Sequence, residues 1–278
     1  MEVVIGDLRF SASTGGDPTA PMVLMLHGFP QTDHSWRHQI PGLAHGGYFA
    51  VAPNQRGYSA GARPSYQAAY ATDQLVADAV AIASALGHER FHLVGHDWGG
   101  QLAWLLASAH PERVMSLAVL SRPHPAAFAR SLDADPDQVE RSKHHRAFDN
   151  PDTAALLLQD DCRRLRRIWS QQGVPDVAAQ AYLSVLLEEG ALEAALNWYR
   201  AAAGLALPEV PPVRVPTLYV WGDQDASVGR VAAEATGDFV SAPYRFEELA
   251  GVGHFVTDEQ GERVTDMLLE FIRALGDS

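Results

Sequence analysis

Five short runs of apolar residues constrain the fold of this 278-residue chain more than any other feature of its sequence. They are residues 21–26, 48–52, 91–94, 114–120 and 217–221. Each run is apolar throughout instead of at every second position, a pattern typical of strands buried on both faces in a parallel sheet. The runs therefore predict a sheet that is covered on both faces.

Helical patterns separate these runs, so strand and helix alternate along the chain. Apolar side chains recur every three or four positions in residues 72–86, and a second pattern covers 98–110 and stops at Pro111. A last amphipathic helix is predicted at 262–275. The alternation predicts an α/β fold with a mostly parallel, doubly wound sheet and right-handed crossovers.

One long segment interrupts this alternation. Residues 122–212 contain no strand-like run, and helical patterns dominate them. These patterns cover residues 138–148, 153–171, 177–188 and 192–203. We predict a helical cap, or lid, at 122–212, inserted into a core domain made of 1–121 and 213–278.

Composition narrows the class of protein. The chain has 47% hydrophobic and 20% charged residues, as globular proteins do. Its formal net charge of -13 argues against a nucleic-acid partner, because phosphate contacts need an excess of Lys and Arg. We interpret the single cysteine, Cys162, as a buried or incidental thiol.

Because the chain shows neither a secretory leader pattern nor a membrane-spanning stretch, we predict a cytoplasmic protein without a membrane partner. The sequence does not indicate an oligomeric state.

The strongest chemical signal is the segment Gly95-His96-Asp97-Trp98-Gly99-Gly100, where a predicted strand runs into a predicted helix. Many α/β hydrolases carry Gly-x-Ser-x-Gly at such a turn, and its tightness demands small residues on either side of the exposed nucleophile. Here a carboxylate, Asp97, takes the nucleophile position, and the start of the helix favours an anion there. Asp is also a favoured N-cap residue, so Asp97 taken alone fits a structural role equally well.

Other segments of the sequence favour a role for Asp97 as nucleophile over a role as helix cap. The segment His27-Gly28-Phe29-Pro30 follows the first apolar run, and in hydrolases with this turn the corresponding loop donates a backbone N–H to an oxyanion hole. We predict that the N–H groups of Phe29 and Trp98 form this hole. His27 is interpreted as a structural residue of the loop.

A general base and its acid are predicted late in the chain. His254 lies in a glycine-rich loop before the last helix, which fits the order of nucleophile, acid and histidine in these hydrolases. The acid orients the histidine and stabilises its cation. Asp223 and Asp225 both follow the run at 217–221. We predict Asp225 as the acid, on the pattern Gly-x-x-Asp, and Asp223 as a turn-forming residue.

The combination of His-Gly-Phe-Pro, Gly-His-Asp-Trp-Gly-Gly and the late Gly-His resembles the epoxide hydrolases of the α/β-hydrolase fold, and less closely the haloalkane dehalogenases. The resemblance spans about 22–275. It implies that Asp97 attacks a carbon atom to form an alkyl-enzyme ester, and that His254 with Asp225 activates the water that hydrolyses the ester. The expected substrates are a small-molecule epoxide and water.

The cap is expected to supply donors to the epoxide oxygen, which the resemblance implies are two tyrosines. Leu196-Asn197-Trp198-Tyr199-Arg200 is similar to the family's cap motif and predicts Tyr199 as one donor. In the family the second tyrosine precedes a short Phe-x-x-Pro element, which Phe148-Asp149-Asn150-Pro151 resembles. The matching position before this element holds His144 instead of tyrosine. His144 is the predicted second donor, and the adjacent His145 is the alternative.

Two other functions stay open at this point. One is a haloalkane dehalogenase with the same Asp97, although Phe29 stands where many dehalogenases have a halide-binding Asn. The other is a non-catalytic, ligand-binding protein of the same fold. We predict Phe29, Trp98 and Trp36 as substrate contacts, whereas Phe128 and Trp169 fit a pocket or the core equally well. No P-loop, dinucleotide motif or metal-ligand cluster is present, so we expect no cofactor and no metal.

Overall fold

The computed structural model describes residues 1–204 and 210–276, without the side chains of residues 144 and 145. Within this part of the chain, eight strands form one sheet in the order β1-β2-β4-β3-β5-β6-β7-β8. The strands are β1 (Glu2–Ile5), β2 (Leu8–Gly15), β3 (Met22–Leu26), β4 (Phe49–Pro53), β5 (Phe91–His96), β6 (Val114–Leu120), β7 (Thr217–Gly222) and β8 (Tyr244–Leu249). All neighbouring strands are parallel except at β2, which is antiparallel to both β1 and β4.

The five strands predicted from apolar runs are confirmed as β3 to β7. All residues of β3, β4, β5 and β7 are buried, as expected for strands covered on both faces. The sequence analysis missed β1, β2 and β8. In β1 and β2 exposed or partly buried positions interrupt the buried ones, and β8 is mostly partly buried and carries charged side chains, because these strands lie at or near the edges of the sheet.

Helices cover both faces of the sheet. They are α1 (Gln39–His45), α2 (Thr72–Ala85), α3 (Trp98–Ala109), α4 (Pro125–Ala134), α5 (Pro136–Arg141), α6 (Lys143–Asp149), α7 (Thr153–Gln171), α8 (Asp176–Leu186), α9 (Ala191–Ala202), α10 (Arg230–Ala235), α11 (Val256–Glu259) and α12 (Gly261–Ala274). The predicted helices at 72–86, 98–110 and 262–275 are confirmed as α2, α3 and α12. None of the helices in the described residues combines the length and the apolar character needed to cross a membrane.

Alternate residues of β3 show how the core is divided. Met22, Leu24 and Leu26 belong to one buried apolar cluster, whereas Val23 and Met25 belong to a second cluster that includes residues of α12. Successive side chains of a strand point to opposite faces, so the two clusters lie on the two sides of the sheet. The fold is therefore a doubly wound α/β sheet of the α/β-hydrolase type, as the sequence predicted.

The segment between β6 and β7 is helical throughout its described elements, α4 to α9. The predicted helix at 138–148 is two helices, α5 and α6, which meet at Ser142. The helix α7 is interrupted at 159–162, where three consecutive residues have positive φ. The first of these helices, α4, packs against α10, which lies outside the predicted cap. The cap boundary at 122–212 stays a prediction.

Candidate active site

The turn between β5 and α3 holds Asp97 in a backbone conformation that few residues adopt. Its φ is 49° and its ψ is -117°, and such conformations cost on the order of 1–3 kcal/mol. A Cβ atom added to Gly99 would lie 2.0 Å from the Leu26 carbonyl oxygen, and one added to Gly95 would lie 2.3 Å from the Gly99 oxygen. The turn therefore needs both glycines, and it presents Asp97 at the carboxyl end of the sheet.

The Asp97 side chain makes no capping hydrogen bond to α3 among the described residues. Its Oδ1 instead accepts a 2.9 Å hydrogen bond from the backbone N–H of Phe29. A Cβ atom added to Gly28 would lie 2.4 Å from the Asp97 Cβ atom, so only glycine permits this close approach. The carboxylate thus faces the loop after β3 instead of stabilising the start of the helix.

The His254 imidazole lies between two carboxylates. Its Nδ1 is 2.8 Å from Asp225 Oδ2, and its Nε2 is 3.5 Å from Asp97 Oδ2. Asp225 is fully buried, whereas Asp223 accepts a 2.7 Å hydrogen bond from the backbone N–H of Gly251. Asp225 is therefore the carboxylate that contacts His254, and Asp223 holds the loop that carries the histidine.

Asp97 and His254 shift each other's pKa. Burial alone would raise the pKa of Asp97, but the hydrogen bond and the positive charge of His254 outweigh burial and keep that pKa well below its usual range. Burial alone would lower the pKa of His254, but Asp225 and Asp97 raise it to about 10. At neutral pH the free site therefore holds His254 as an imidazolium beside an ionised Asp97.

Buried hydrogen bonds from distant parts of the chain fix the loop around His254. Its carbonyl oxygen lies 2.8 Å from His96 Nε2 and accepts a 2.7 Å bond from Ser121 Oγ. In α11, which follows directly, the Asp258 carboxylate accepts a 2.8 Å bond from the hydroxyl of Tyr182 in α8. No local sequence pattern predicted these contacts, because they join residues far apart in the chain.

Two cavities open beside Asp97 and Tyr199, and both residues line both cavities. The larger has a volume of about 510 Å³, and its other lining residues include Trp98, Gln101, Arg122 and Phe128. The smaller has a volume of about 180 Å³, and its other lining residues include Phe29, Phe148 and His254. A small molecule in either cavity can therefore reach the Asp97 carboxylate.

Tyr199 in α9 is held by aromatic rings. The ring centroids of Phe29, Trp98 and Phe148 lie 5.4, 5.1 and 4.9 Å from that of Tyr199, all at steep interplanar angles. Burial, and then the charge of Asp97, raise the pKa of the Tyr199 hydroxyl well above its usual value. The hydroxyl therefore stays protonated at neutral pH and can donate a hydrogen bond beside Asp97.

The second predicted donor is not described. His144 and its alternative His145 belong to α6, but their side chains lie outside the described part of the structure. The donor role of His144 therefore stays a prediction.

The structure gives Trp36 a core role instead of the predicted substrate contact. Its side chain is fully buried in the apolar cluster that contains Val23 and Met25, on the face of the sheet opposite to Leu26 and Phe29. Trp36 ends the short 3₁₀ helix Asp33–Trp36 and lines neither of the two cavities beside Asp97. Trp169 is also fully buried and packs on Tyr182, whereas Phe128 lines the larger cavity.

Metal ligands are not clustered in this site. In the part of the chain that the structure describes, no group of three or more His, Cys, Asp or Glu side chains is arranged to hold a metal ion.

Known proteins are similar to this chain in fold and in sequence. A sequence profile of the alpha/beta hydrolase fold matches residues 21–260. Epoxide hydrolase 4 of Mus musculus is 33% identical over 276 residues, covering 96% of this chain and 77% of the relative. Epoxide hydrolase A of Mycobacterium tuberculosis is 32% identical over 313 residues, covering 96% of this chain and 95% of the relative. The Bacillus megaterium epoxide hydrolase, solved in complex with an inhibitor, has a TM-score of 0.89 at 26% identity, covering 98% of this chain and 99% of that one.

The fold, the turn at Asp97 and the match over 21–260 define the class of protein, which is the α/β hydrolases. Within that class the chain belongs to the epoxide hydrolase family, since relatives above 30% identity cover nearly all of it. The resemblance inferred from the sequence motifs is thereby confirmed for both fold and family.

Proposed function

We propose that this hydrolase opens the ether bond of an epoxide to give a vicinal diol, through an ester formed on Asp97. The observation that carries the proposal is the position of the Asp97 carboxylate, which lies between the backbone N–H of Phe29 and the imidazole of His254 in a cavity shared with Tyr199. Membership of the epoxide hydrolase family supports the choice of substrate.

In the first step Asp97 Oδ2 attacks a ring carbon of the epoxide, and the carbon–oxygen bond breaks. Oδ1 is already held by the Phe29 N–H, so Oδ2 is the oxygen left to attack. The ring oxygen takes a proton from the Tyr199 hydroxyl, and His144 is the proposed second donor. The resulting Tyr199 phenolate regains its proton from the His254 imidazolium through water, because burial and the neighbouring charge make the phenolate strongly basic.

In the second step the ester is hydrolysed. Esterification removes the negative charge of Asp97, which is one of the groups that raise the pKa of His254 to about 10. Its pKa therefore falls, and neutral His254 can take a proton from water while Asp225 stabilises the cation. The hydroxide attacks the carboxyl carbon, and the N–H groups of Phe29 and Trp98 hold the oxyanion. The ester bond then breaks, and the alkoxide takes the proton that the hydroxide brought and leaves as the diol with the original Oδ2 oxygen, which restores the Asp97 carboxylate.

Turnover of a panel of terminal epoxides and haloalkanes tests this function directly. The expected result is diol from epoxides and no halide from haloalkanes. Halide release without diol would assign the site to a dehalogenase with the same Asp97. Binding of epoxides without either product would assign it to a non-catalytic, ligand-binding protein.

Tyr199→Phe is expected to slow ester formation by about 10²–10⁴-fold, the usual loss when a positioned acid is removed. The change keeps the ring, which packs on Phe29, Trp98 and Phe148, so the fold should be preserved. Stopped-flow measurement of the first turnover reports the step. The control is Tyr66→Phe, because Tyr66 is 65% exposed and lies outside both cavities. Equal first-turnover rates for Tyr199→Phe and wild type would remove Tyr199 from the mechanism.

A further inference from the structure

The larger cavity contains a cation that the proposed reaction does not use. Arg122 follows β6, so it lies at the carboxyl end of the sheet beside the turn that carries Asp97. It lines the cavity of about 510 Å³ together with Asp97 and Tyr199. The sequence analysis gave it no role, because nothing in the local pattern distinguishes it from a surface arginine.

The contacts of the Arg122 guanidinium are made with neutral groups. Its Nε donates a 3.0 Å hydrogen bond to Gln101 Oε1, and its central carbon lies 4.3 Å from the centre of the Phe128 ring. Across the described residues, no carboxylate lies within ion-pair distance of Arg122, and neither terminal nitrogen donates to a protein acceptor.

Two other shielded arginines of this chain, Arg56 and Arg37, are paired with carboxylates. Arg56 holds Asp78 through two bonds of 2.7 Å, and Arg37 contacts Asp258 at 2.5 Å. Such pairing offsets the free-energy cost of removing a charge from water. Arg122 is partly buried without this compensation, and its two terminal nitrogens remain available to a bound molecule.

We propose that Arg122 binds a carboxylate on the substrate, so that the epoxides this enzyme takes are epoxides carrying a carboxylate group. The inference rests on the proposed function, since it names the class of epoxide. A planar guanidinium with two free terminal nitrogens matches a carboxylate through two parallel hydrogen bonds. The other charged residues of this cavity besides Asp97, which are Asp73, Arg146 and Asp149, are exposed and so lie at its rim.

The alternative is that Arg122 only balances the negative charge of the site and does not bind the substrate. Asp97 and Asp225 carry two negative charges and His254 one positive charge, and Arg122 interacts with both carboxylates at longer range. An arginine that only balanced this charge would affect every epoxide equally. An arginine that binds the substrate's carboxylate affects only epoxides that carry one, and this difference defines the experiment.

The probes are pairs of epoxides with the same carbon chain, one ending in a carboxylate and the other in a primary amide, over a series of chain lengths. For at least one length, kcat/KM of wild type should be about 10- to 150-fold higher for the acid, the discrimination that a charge-assisted hydrogen bond provides. Arg122→Gln should bring the ratio of acid to amide close to one. Gln101→Glu should also bring this ratio close to one. The new carboxylate would stand where Gln101 Oε1 lies, 3.0 Å from Arg122 Nε, and would form an ion pair with the guanidinium.

The matched control is Arg130→Gln. Arg130 also stacks on an aromatic ring, at 5.4 Å from the centre of Phe239, but it is exposed and outside the cavity. This variant should keep the wild-type ratio. A wild-type ratio near one at every chain length, or equal losses on acid and amide in Arg122→Gln, would overturn the inference and leave the proposed function intact. Diol from none of the epoxides, charged or neutral, would instead contradict the proposed function itself.

Discussion

Asp97→Asn is expected to lower kcat/KM for epoxides by at least about 10⁴-fold, the scale on which members of a catalytic triad act. The amide keeps the size of the carboxylate and can still accept the Phe29 N–H bond, so the turn between β5 and α3 should close as before. It is a far weaker nucleophile than a carboxylate, and the ester cannot form. Diol formation at epoxide concentrations well below KM, measured beside the circular dichroism spectrum, separates lost chemistry from lost fold.

The control for this variant is Asp133→Asn, since Asp133 is an exposed acid on α4 outside both cavities. It should turn over epoxide at the wild-type rate. If Asp97 acted only as a helix N-cap, Asp97→Asn would leave both stability and turnover largely unchanged, because asparagine is an equally favoured N-cap residue. Retained turnover in folded Asp97→Asn would therefore restore the structural interpretation of this residue.

His254→Gln is expected to stop the reaction halfway, with the ester on Asp97 accumulating. The first step needs the Asp97 carboxylate and the Tyr199 hydroxyl, neither of which this change removes. The second step needs a base beside the ester, and the His254 Nε2 atom is 3.5 Å from Asp97 Oδ2. Intact-mass spectrometry after incubation with epoxide should show protein heavier by the mass of one substrate molecule.

Peptide mapping of the adduct should locate the added mass on the peptide containing Asp97. Combining Asp97→Asn with His254→Gln should abolish the adduct. The control His110→Gln changes a partly exposed histidine after α3, and it should accumulate no adduct because His254 still hydrolyses the ester. Adduct in the double variant would mean that another side chain is alkylated. Normal steady-state turnover in His254→Gln would remove this histidine from the hydrolytic step.

The sequence predicted the centre of the site because its geometry is encoded locally. A turn as tight as that at Asp97 tolerates only glycine at 95 and 99, and contiguous apolar runs mark strands with two buried faces. The pattern Gly-x-x-Asp likewise singled out Asp225 as the partner of His254, and the structure has these two side chains in contact. Each of these features depends on a few neighbouring residues.

Features that depend on tertiary contacts were not predictable in this way. Trp36 was assigned to the substrate because aromatic residues suit a pocket, but which face of the sheet it joins is decided by the path of the whole loop. The strands β1, β2 and β8 lack the apolar signature because they are not covered on both faces. Arg122 acquires its position only when β6, α3 and α4 come together around the larger cavity.

The central claim is that the oxygen added to the epoxide comes from Asp97 and not directly from water. A single turnover with enzyme in excess over epoxide, run in ¹⁸O-labelled water, tests it most directly. The first diol is expected to contain no ¹⁸O, and the label should appear in the carboxylate of Asp97, where peptide mass spectrometry can detect it. Diol that carries ¹⁸O from the first turnover, with an unlabelled Asp97, would contradict the covalent mechanism and show that water attacks the epoxide itself.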